Sequence, residues 1–120
     1  HQVIMDNELL THIRDNNGKE GDFLYQATQF YFDFYYKTFG IKGCFVHDAS
    51  TIIYALQPDI FKTEDRVIRV AVEGVGIGQT ITAKPEQTFA LDFWENRPVT
   101  NICLEVDSQR ALNLIKSVFS

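Results

Sequence analysis

The stretch FYYKTFGIKGCFVHD, residues 34–48, joins the end of one predicted helix to the start of another. Gly40 can adopt positive φ and is therefore predicted to end the first helix. A short helix is expected to begin near the pair His47-Asp48, and Pro58 stops it because the residue before a proline is steered away from helical dihedrals. The loop between the two helices thus carries an imidazole and a carboxylate to the mouth of the second helix.

A long aromatic helix is predicted upstream of Gly40, with Asp22 as its N-terminal cap. Apolar residues recur in it at the spacing of one helix face: Phe23, Ala27, Phe30 and Phe34. The phenylalanines are interpreted as core residues. Because Tyr31 and Tyr35 form a second stripe beside the first, the helix is apolar on nearly all sides and has to be buried on several faces. We therefore expect it to pack against protein that lies outside the chain.

The remaining segments predict a mixture of helices and short strands. Asp6 and Asp107 each precede a segment of helical periodicity and can accept hydrogen bonds from its free N–H groups. Short β-prone runs are expected at 66–72, with apolar residues at 68, 70 and 72, at 79–83 and at 101–106. The glycine-rich run 74–78 has the pattern G-x-G-x-G and is followed by β-prone residues, so it is interpreted as a strand connection and not as a nucleotide-binding loop. Residues 1–120 are expected to form one compact α+β fragment with about four helices and three short strands.

The composition of the chain argues against two classes of binding partner, nucleic acids and membranes. The chain carries 11 Lys and Arg against 16 Asp and Glu, a formal net charge of −5, so it lacks the excess of positive charge that binds nucleic acid. No apolar run approaches the roughly 20 residues of a membrane span, so no membrane partner is expected. Cys44 and Cys103 fit no metal-ligand spacing and are interpreted as buried thiols in a reducing compartment, which favours a cytoplasmic location.

Two interpretations of His47-Asp48 follow from the sequence. In the first, Asp48 caps the helix by accepting hydrogen bonds from backbone N–H groups near Ser50 and Thr51, and His47 is an ordinary loop residue. In the second, the carboxylate holds a hard cation through oxygen and the imidazole transfers a proton near neutral pH.

Tyr35 and Tyr36 lie at the end of the aromatic helix, close in sequence to the loop that carries His47. A tyrosine at this place could stack on a planar ligand and offer its hydroxyl to it, or could be a packing residue.

Several segments, taken together, resemble the inosine-uridine-preferring nucleoside hydrolases. The matching segments occur in the family's order: HQVIM at 1–5, the glycine loop with His47-Asp48, LQPDIF at 56–61, VAVE at 70–73, GQTI at 78–81, and the closing strand and helix at 101–119. The resemblance covers nearly all of the chain.

The resemblance implies a doubly wound α/β fold for the parent protein. It also implies cleavage of the N-glycosidic bond of ribonucleosides by water, giving ribose and free base, with a Ca²⁺ ion that holds the ribose diol and the attacking water. On this basis His47 protonates the departing purine, Asp48 is a calcium ligand, and Tyr35 or Tyr36 closes over the base.

The chain departs from the family in one important respect. The acidic Asp-x-Asp-x-Gly-x-Asp-Asp motif, which supplies most calcium ligands and the catalytic base in the family, is missing, so the sequence resembles the C-terminal portion only. We therefore expect the isolated chain to be inactive, to bind calcium weakly, and to self-associate through exposed apolar surface or form a homo-oligomer. The alternative function is a non-enzymatic module that docks a partner through its aromatic helix.

Overall fold

The computed structural model describes residues 2–87, 94 and 96–119. The chain folds into two compact units, one formed by His1–Phe61 together with Glu105–Ser120 and the other by Lys62–Leu104. Within the described ranges, no helix combines the length and apolar character needed to cross a membrane.

The helices and strands agree with most of the sequence expectations. The described residues form four α-helices: α1 (Asn7–Asn16), α2 (Gly18–Phe39), α3 (His47–Leu56) and α4 (Ser108–Val118). A 3-10 turn lies at Pro58–Ile60. The strands are β1 (Ile4–Met5), β2 (Cys44–Phe45), β3 (Phe61–Val70), β4 (Thr80–Ala83) and β5 (Val99–Val106). Strands β1 and β2 were not predicted, because two residues are too few to show a strand periodicity.

Helices α1 and α2 pack closely where α1 ends and α2 begins. Asp6 caps α1 as predicted, accepting from Leu9 N at 2.9 Å. Helix α2 begins at Gly18, so the expectation that Asp22 caps it is wrong. The turn between α1 and α2 is stabilised instead by Asn17, whose side-chain amide donates a hydrogen bond to the carbonyl of Ile13 at 2.8 Å. At Gly21 an added Cβ would lie 2.5 Å from the Ile13 carbonyl oxygen, so the two helices approach more closely than a side chain would allow.

The core of the first unit joins α3, the 3-10 turn and α4. One buried cluster consists of Val3, Ile53, Ile60 and Ala111, and Leu9, Leu10 and Ile13 of α1 are buried as well. Asp107 caps α4 as predicted, accepting from Arg110 N at 3.1 Å. The backbone N–H of Asp107 donates to the carbonyl of Ile60 at 2.8 Å.

The second unit is a three-stranded sheet with strand order β4-β3-β5. Strands β3 and β4 pair antiparallel with Val67 opposite Ala83, and both side chains are buried. The strand predicted at 66–72 begins earlier, at Phe61, and ends at Val70, which is 52% exposed. The glycine-rich run connects β3 to β4, as interpreted, with positive φ at Gly74 and Gly78.

Two expectations about burial are wrong. The phenylalanines of α2 are not core residues of this chain, because Phe23 is 70% exposed and Phe30 is 75% exposed. In α2 only Gly21 is buried, so the apolar stripe has no covering surface within the described residues. Cys44 is buried but Cys103 is exposed, and both thiols are free.

Candidate active site

The loop that leads to His47 is held by a short antiparallel ladder. Strand β2 pairs with β1, with Phe45 opposite Ile4 and Cys44 opposite Met5. One residue further on, the N–H of Val46 donates to the carbonyl of Val3 at 3.0 Å. At Gly43 an added Cβ would lie 2.5 Å from the carbonyl oxygen of Met5, so this close pairing requires glycine.

Helix α3 begins at His47 itself, and its N-cap residue is Val46. The interpretation of Asp48 as a side-chain cap is therefore wrong, because α3 has no side-chain capping hydrogen bond and Asp48 lies inside its first turn. The hydroxyl of Ser50 donates to the carbonyl of Val46, and the hydroxyl of Thr51 donates to the Asp48 carbonyl at 2.7 Å. Both His47 and Asp48 are exposed.

The position of Asp48 suits a carboxylate. A negative charge in the first turn of a helix is stabilised by the partial positive charge of the unpaired N–H groups. The carboxylate is also exposed, so it can reach a ligand without breaking a capping interaction.

The ring of Phe45 contacts one aromatic side chain from each of the two predicted site segments. Its centroid lies 5.0 Å from that of Tyr35, with ring planes at 81°, and 5.7 Å from that of His47, with ring planes at 49°. Tyr35 is half-buried, whereas Tyr36 is 59% exposed. The structure thus brings Tyr35 and His47 onto one ring, and neighbouring helix positions such as Tyr36 face elsewhere.

Sequence reasoning missed Phe45. Its role depends on the pairing of β1 with β2, which brings together segments about 40 residues apart in the chain. The signal that could have found it is its place two residues before the histidine, in a loop that follows an aromatic helix end. Next to it, burial raises the pKa of the Cys44 thiol, so Cys44 is a neutral packing residue and not a nucleophile.

A complete cation site is not formed by the residues that the structure describes. None of their His, Cys, Asp and Glu side chains cluster in groups of three or more that could hold a metal ion. Calcium takes six to eight oxygen ligands, and the Asp48 carboxylate supplies at most two. The Asp48 carboxylate alone therefore cannot complete a calcium site.

Two clefts lie away from these residues. One, of about 430 Å³, belongs to the sheet unit and is lined by Thr63, Glu64, Asp65, Lys84, Pro85, Glu86 and Asn101. The other, of about 460 Å³, is lined by residues of α1 and α4 together with Asp6. Neither includes His47 or Asp48.

Comparison with known proteins gives a consistent result. The family model for inosine-uridine preferring nucleoside hydrolases matches residues 1–113. A probable uridine nucleosidase of Arabidopsis thaliana is 28% identical over 116 residues, which are 96% of this chain and 36% of that protein.

Two solved structures have the same fold. A plant nucleoside hydrolase superposes with a TM-score of 0.89 at 24% identity, covering 99% of this chain and 38% of that chain. A purine-preferring ribonucleoside hydrolase from Gardnerella vaginalis gives a TM-score of 0.77 at 26% identity, covering 98% and 35%. The expected α/β fold class is confirmed. The chain spans little more than a third of the length of these relatives. The chain belongs to the inosine-uridine preferring nucleoside hydrolase family.

Proposed function

We propose that the chain is the C-terminal portion of a calcium-dependent ribonucleoside hydrolase, which cleaves the N-glycosidic bond of purine or pyrimidine nucleosides to ribose and free base. The observation that supports this most is the exposure of His47 and Asp48 together in the first turn of α3. Curated relatives that span the chain are uridine nucleosidases, and a solved relative is purine-preferring, so uridine and inosine are the first substrates to test.

His47 is the general acid of this proposal. Glycoside cleavage passes through an oxocarbenium-like state in which negative charge builds on the departing base. An imidazolium within hydrogen-bond reach of the base relieves that charge by donating a proton. The ring stands at the exposed start of α3, which gives it access to a ligand.

Asp48 contributes one ligand to the calcium site. When bound, the metal orients a water molecule and lowers its pKa, so that the water can act as the nucleophile. The chain's own part is to present the Asp48 carboxylate from a rigid helix turn, and the remaining oxygens come from the rest of the parent protein.

The base is held by stacking on an aromatic side chain. Tyr35 is the better placed of the two tyrosines, since its ring contacts Phe45, which also contacts His47. Tyr36, which is 59% exposed, is the second candidate for this contact.

The test compares the full-length protein with the 120-residue chain. We expect the full-length protein to release ribose and free base from uridine or inosine, and to lose this activity when calcium is chelated and regain it when calcium is returned. The isolated chain is expected to be inactive, and calorimetry is expected to detect no micromolar calcium site in it. A full-length protein that cleaves neither nucleoside would contradict the proposal.

The exposed aromatic face of α2 favours a second candidate function, a non-enzymatic module that docks a partner protein. Phe23, Phe30 and Tyr31 are all more than half exposed. The reading frame upstream of the chain discriminates the two candidates. An acidic Asp-x-Asp motif about two hundred residues upstream supports the hydrolase, whereas an unrelated domain there supports the docking module.

A further inference from the structure

We propose that Phe45 is a positioning residue, whose ring fixes the His47 imidazole and the Tyr35 ring relative to each other so that proton donation and base stacking occur on the same bound nucleoside. This inference rests on the proposed hydrolase function. It adds a residue that does not itself touch the substrate.

Phe45 is well held at its own position. It is half-buried, it pairs with Ile4 in the β1–β2 ladder, and the next residue is tied to Val3 by the 3.0 Å hydrogen bond from Val46. A side chain that is fixed through its backbone in this way can in turn restrict the rings that pack against it.

The two rings in contact with Phe45 come from different helices. Tyr35 lies in the last turns of α2, and His47 is the first residue of α3. The segment between these helices, residues 40–46, consists of a loop and a short strand. The backbone of this segment does not by itself fix the relative orientation of the Tyr35 and His47 side chains. The edge-to-face contact with Tyr35 and the tilted contact with His47 supply that constraint.

Phe45 lies outside the hydrophobic cluster that packs α3 against α4. The buried cluster around Ile53 and Ala111, with the half-buried side chains packed on it, does not include Phe45. Its ring packs instead on the rings of two site residues, which distinguishes it from a residue that only fills the core.

The consequence for catalysis is geometric. A general acid has to lie within hydrogen-bond reach of the atom that it protonates, and a displacement of about 1 Å can cost about a hundredfold in rate. Loss of two ring contacts should therefore lower kcat for a nucleoside by about tenfold, or about 1.4 kcal/mol in the barrier.

The experiment uses Phe45→Leu and Phe45→Tyr in the full-length protein, with two substrates. Inosine needs protonation of its base, whereas 4-nitrophenyl β-D-ribofuranoside carries a leaving group that departs without a proton. We expect Phe45→Leu to lower kcat for inosine about tenfold and to change kcat for the nitrophenyl riboside by less than about twofold. Phe45→Tyr retains the ring and should restore the inosine rate.

Phe61→Leu is the matched control. Phe61 is also half-buried, and its ring lies 5.4 Å from that of Tyr54 with ring planes at 81°, but it packs on the core. This variant should lower the melting temperature and leave the ratio of the two kcat values unchanged.

Equal losses on both substrates, or an unchanged inosine rate in Phe45→Leu, would overturn the inference. If Phe45→Leu does not fold, Phe45→Met replaces it, and unfolding of both would assign the residue to stability alone and overturn the inference too. The variant His47→Ala distinguishes failure of the proposed hydrolase function from failure of the proposed role of Phe45. If His47→Ala still cleaves inosine at the wild-type rate, the proposed acid itself fails; if it does not and Phe45→Leu does, only the role of Phe45 fails.

Discussion

The backbone N–H of Val46 donates to the carbonyl of Val3 across 3.0 Å, immediately before α3 begins. This hydrogen bond extends the β1–β2 ladder by one position and ties the start of α3 to a strand more than 40 residues earlier. The orientation of His47 and Asp48 is therefore set by a non-local contact as well as by the local helix.

Replacement of His47 by alanine in the full-length protein should lower kcat for uridine and inosine by about a hundredfold to ten-thousandfold, because that is the usual contribution of a general acid. Activity on 4-nitrophenyl β-D-ribofuranoside should largely persist. His12→Gln, on α1, is the control histidine and should keep both activities. Nucleoside turnover equal to that of the wild type would remove His47 from the mechanism.

Asp48→Asn should weaken calcium binding by the full-length protein by at least about tenfold, since a neutral amide replaces a charged oxygen ligand. Isothermal calorimetry measures the affinity. Asp15→Asn serves as the control, because Asp15 is an exposed carboxylate paired with Arg14 on α1 at 2.8 Å. An unchanged calcium affinity in Asp48→Asn would show that this carboxylate is not a ligand.

Tyr35→Ala should raise KM for uridine about tenfold, because stacking of a base on an aromatic ring contributes about 1–3 kcal/mol. Steady-state kinetics of Tyr35→Ala and Tyr36→Ala, measured side by side, identify the ring that contacts the base. We expect the larger effect at Tyr35. A larger effect at Tyr36 would reassign the stacking residue, and no effect at either would exclude stacking by this helix end.

The isolated 120-residue chain should self-associate through α2, where Phe23 and Phe30 are 70% and 75% exposed. The double substitution Phe23→Ser and Phe30→Ser should shift the chain toward monomer in sedimentation velocity. Val75→Ser removes an even more exposed apolar side chain outside α2 and should have no such effect. A wild-type chain that sediments as a monomer at all accessible concentrations would contradict this prediction.

Cys44 should react with iodoacetamide more slowly than Cys103 in the folded chain, because burial raises the pKa of the Cys44 thiol and keeps it protonated. Peptide mass spectrometry after timed labelling gives both rates, and the two should converge in denaturant. The sign of the linkage follows: the contribution of Cys44 to folding is complete below the ordinary thiol pKa of 9.0 and is lost as the pH rises through the higher folded value. Equal rates in the folded chain would contradict the prediction.

Local signals made much of the fold predictable. Helix caps act on N–H and carbonyl groups only a few residues away. The starts of α1 and α4 could therefore be predicted from Asp6 and Asp107, and the end of α2 from Gly40. The start of α2 at Gly18 precedes the cap predicted at Asp22, because the turn is held at Asn17 by a hydrogen bond to the Ile13 carbonyl. The aromatic face of α2 was interpreted as core because periodicity reports which face is apolar and not which protein covers it.

The candidate site divides in the same way. The proximity of His47 and Asp48 follows from adjacency in sequence, and their place at a helix start from the flanking loop. The capping role of Asp48 is wrong because the helix starts at His47, two residues earlier than a cap at Asp48 requires. The contact of Tyr35 with Phe45 could not be predicted, since it depends on the pairing of Phe45 with Ile4.

Residue 43 has no room for a side chain, so natural amino-acid substitutions at this position are expected to disturb the structure. A single methyl group there would meet the Met5 carbonyl at 2.5 Å and would force the two strands apart. Because the same strands carry the peptide that leads into α3, even a change from glycine to alanine at residue 43 would displace His47 and Asp48 without altering either side chain.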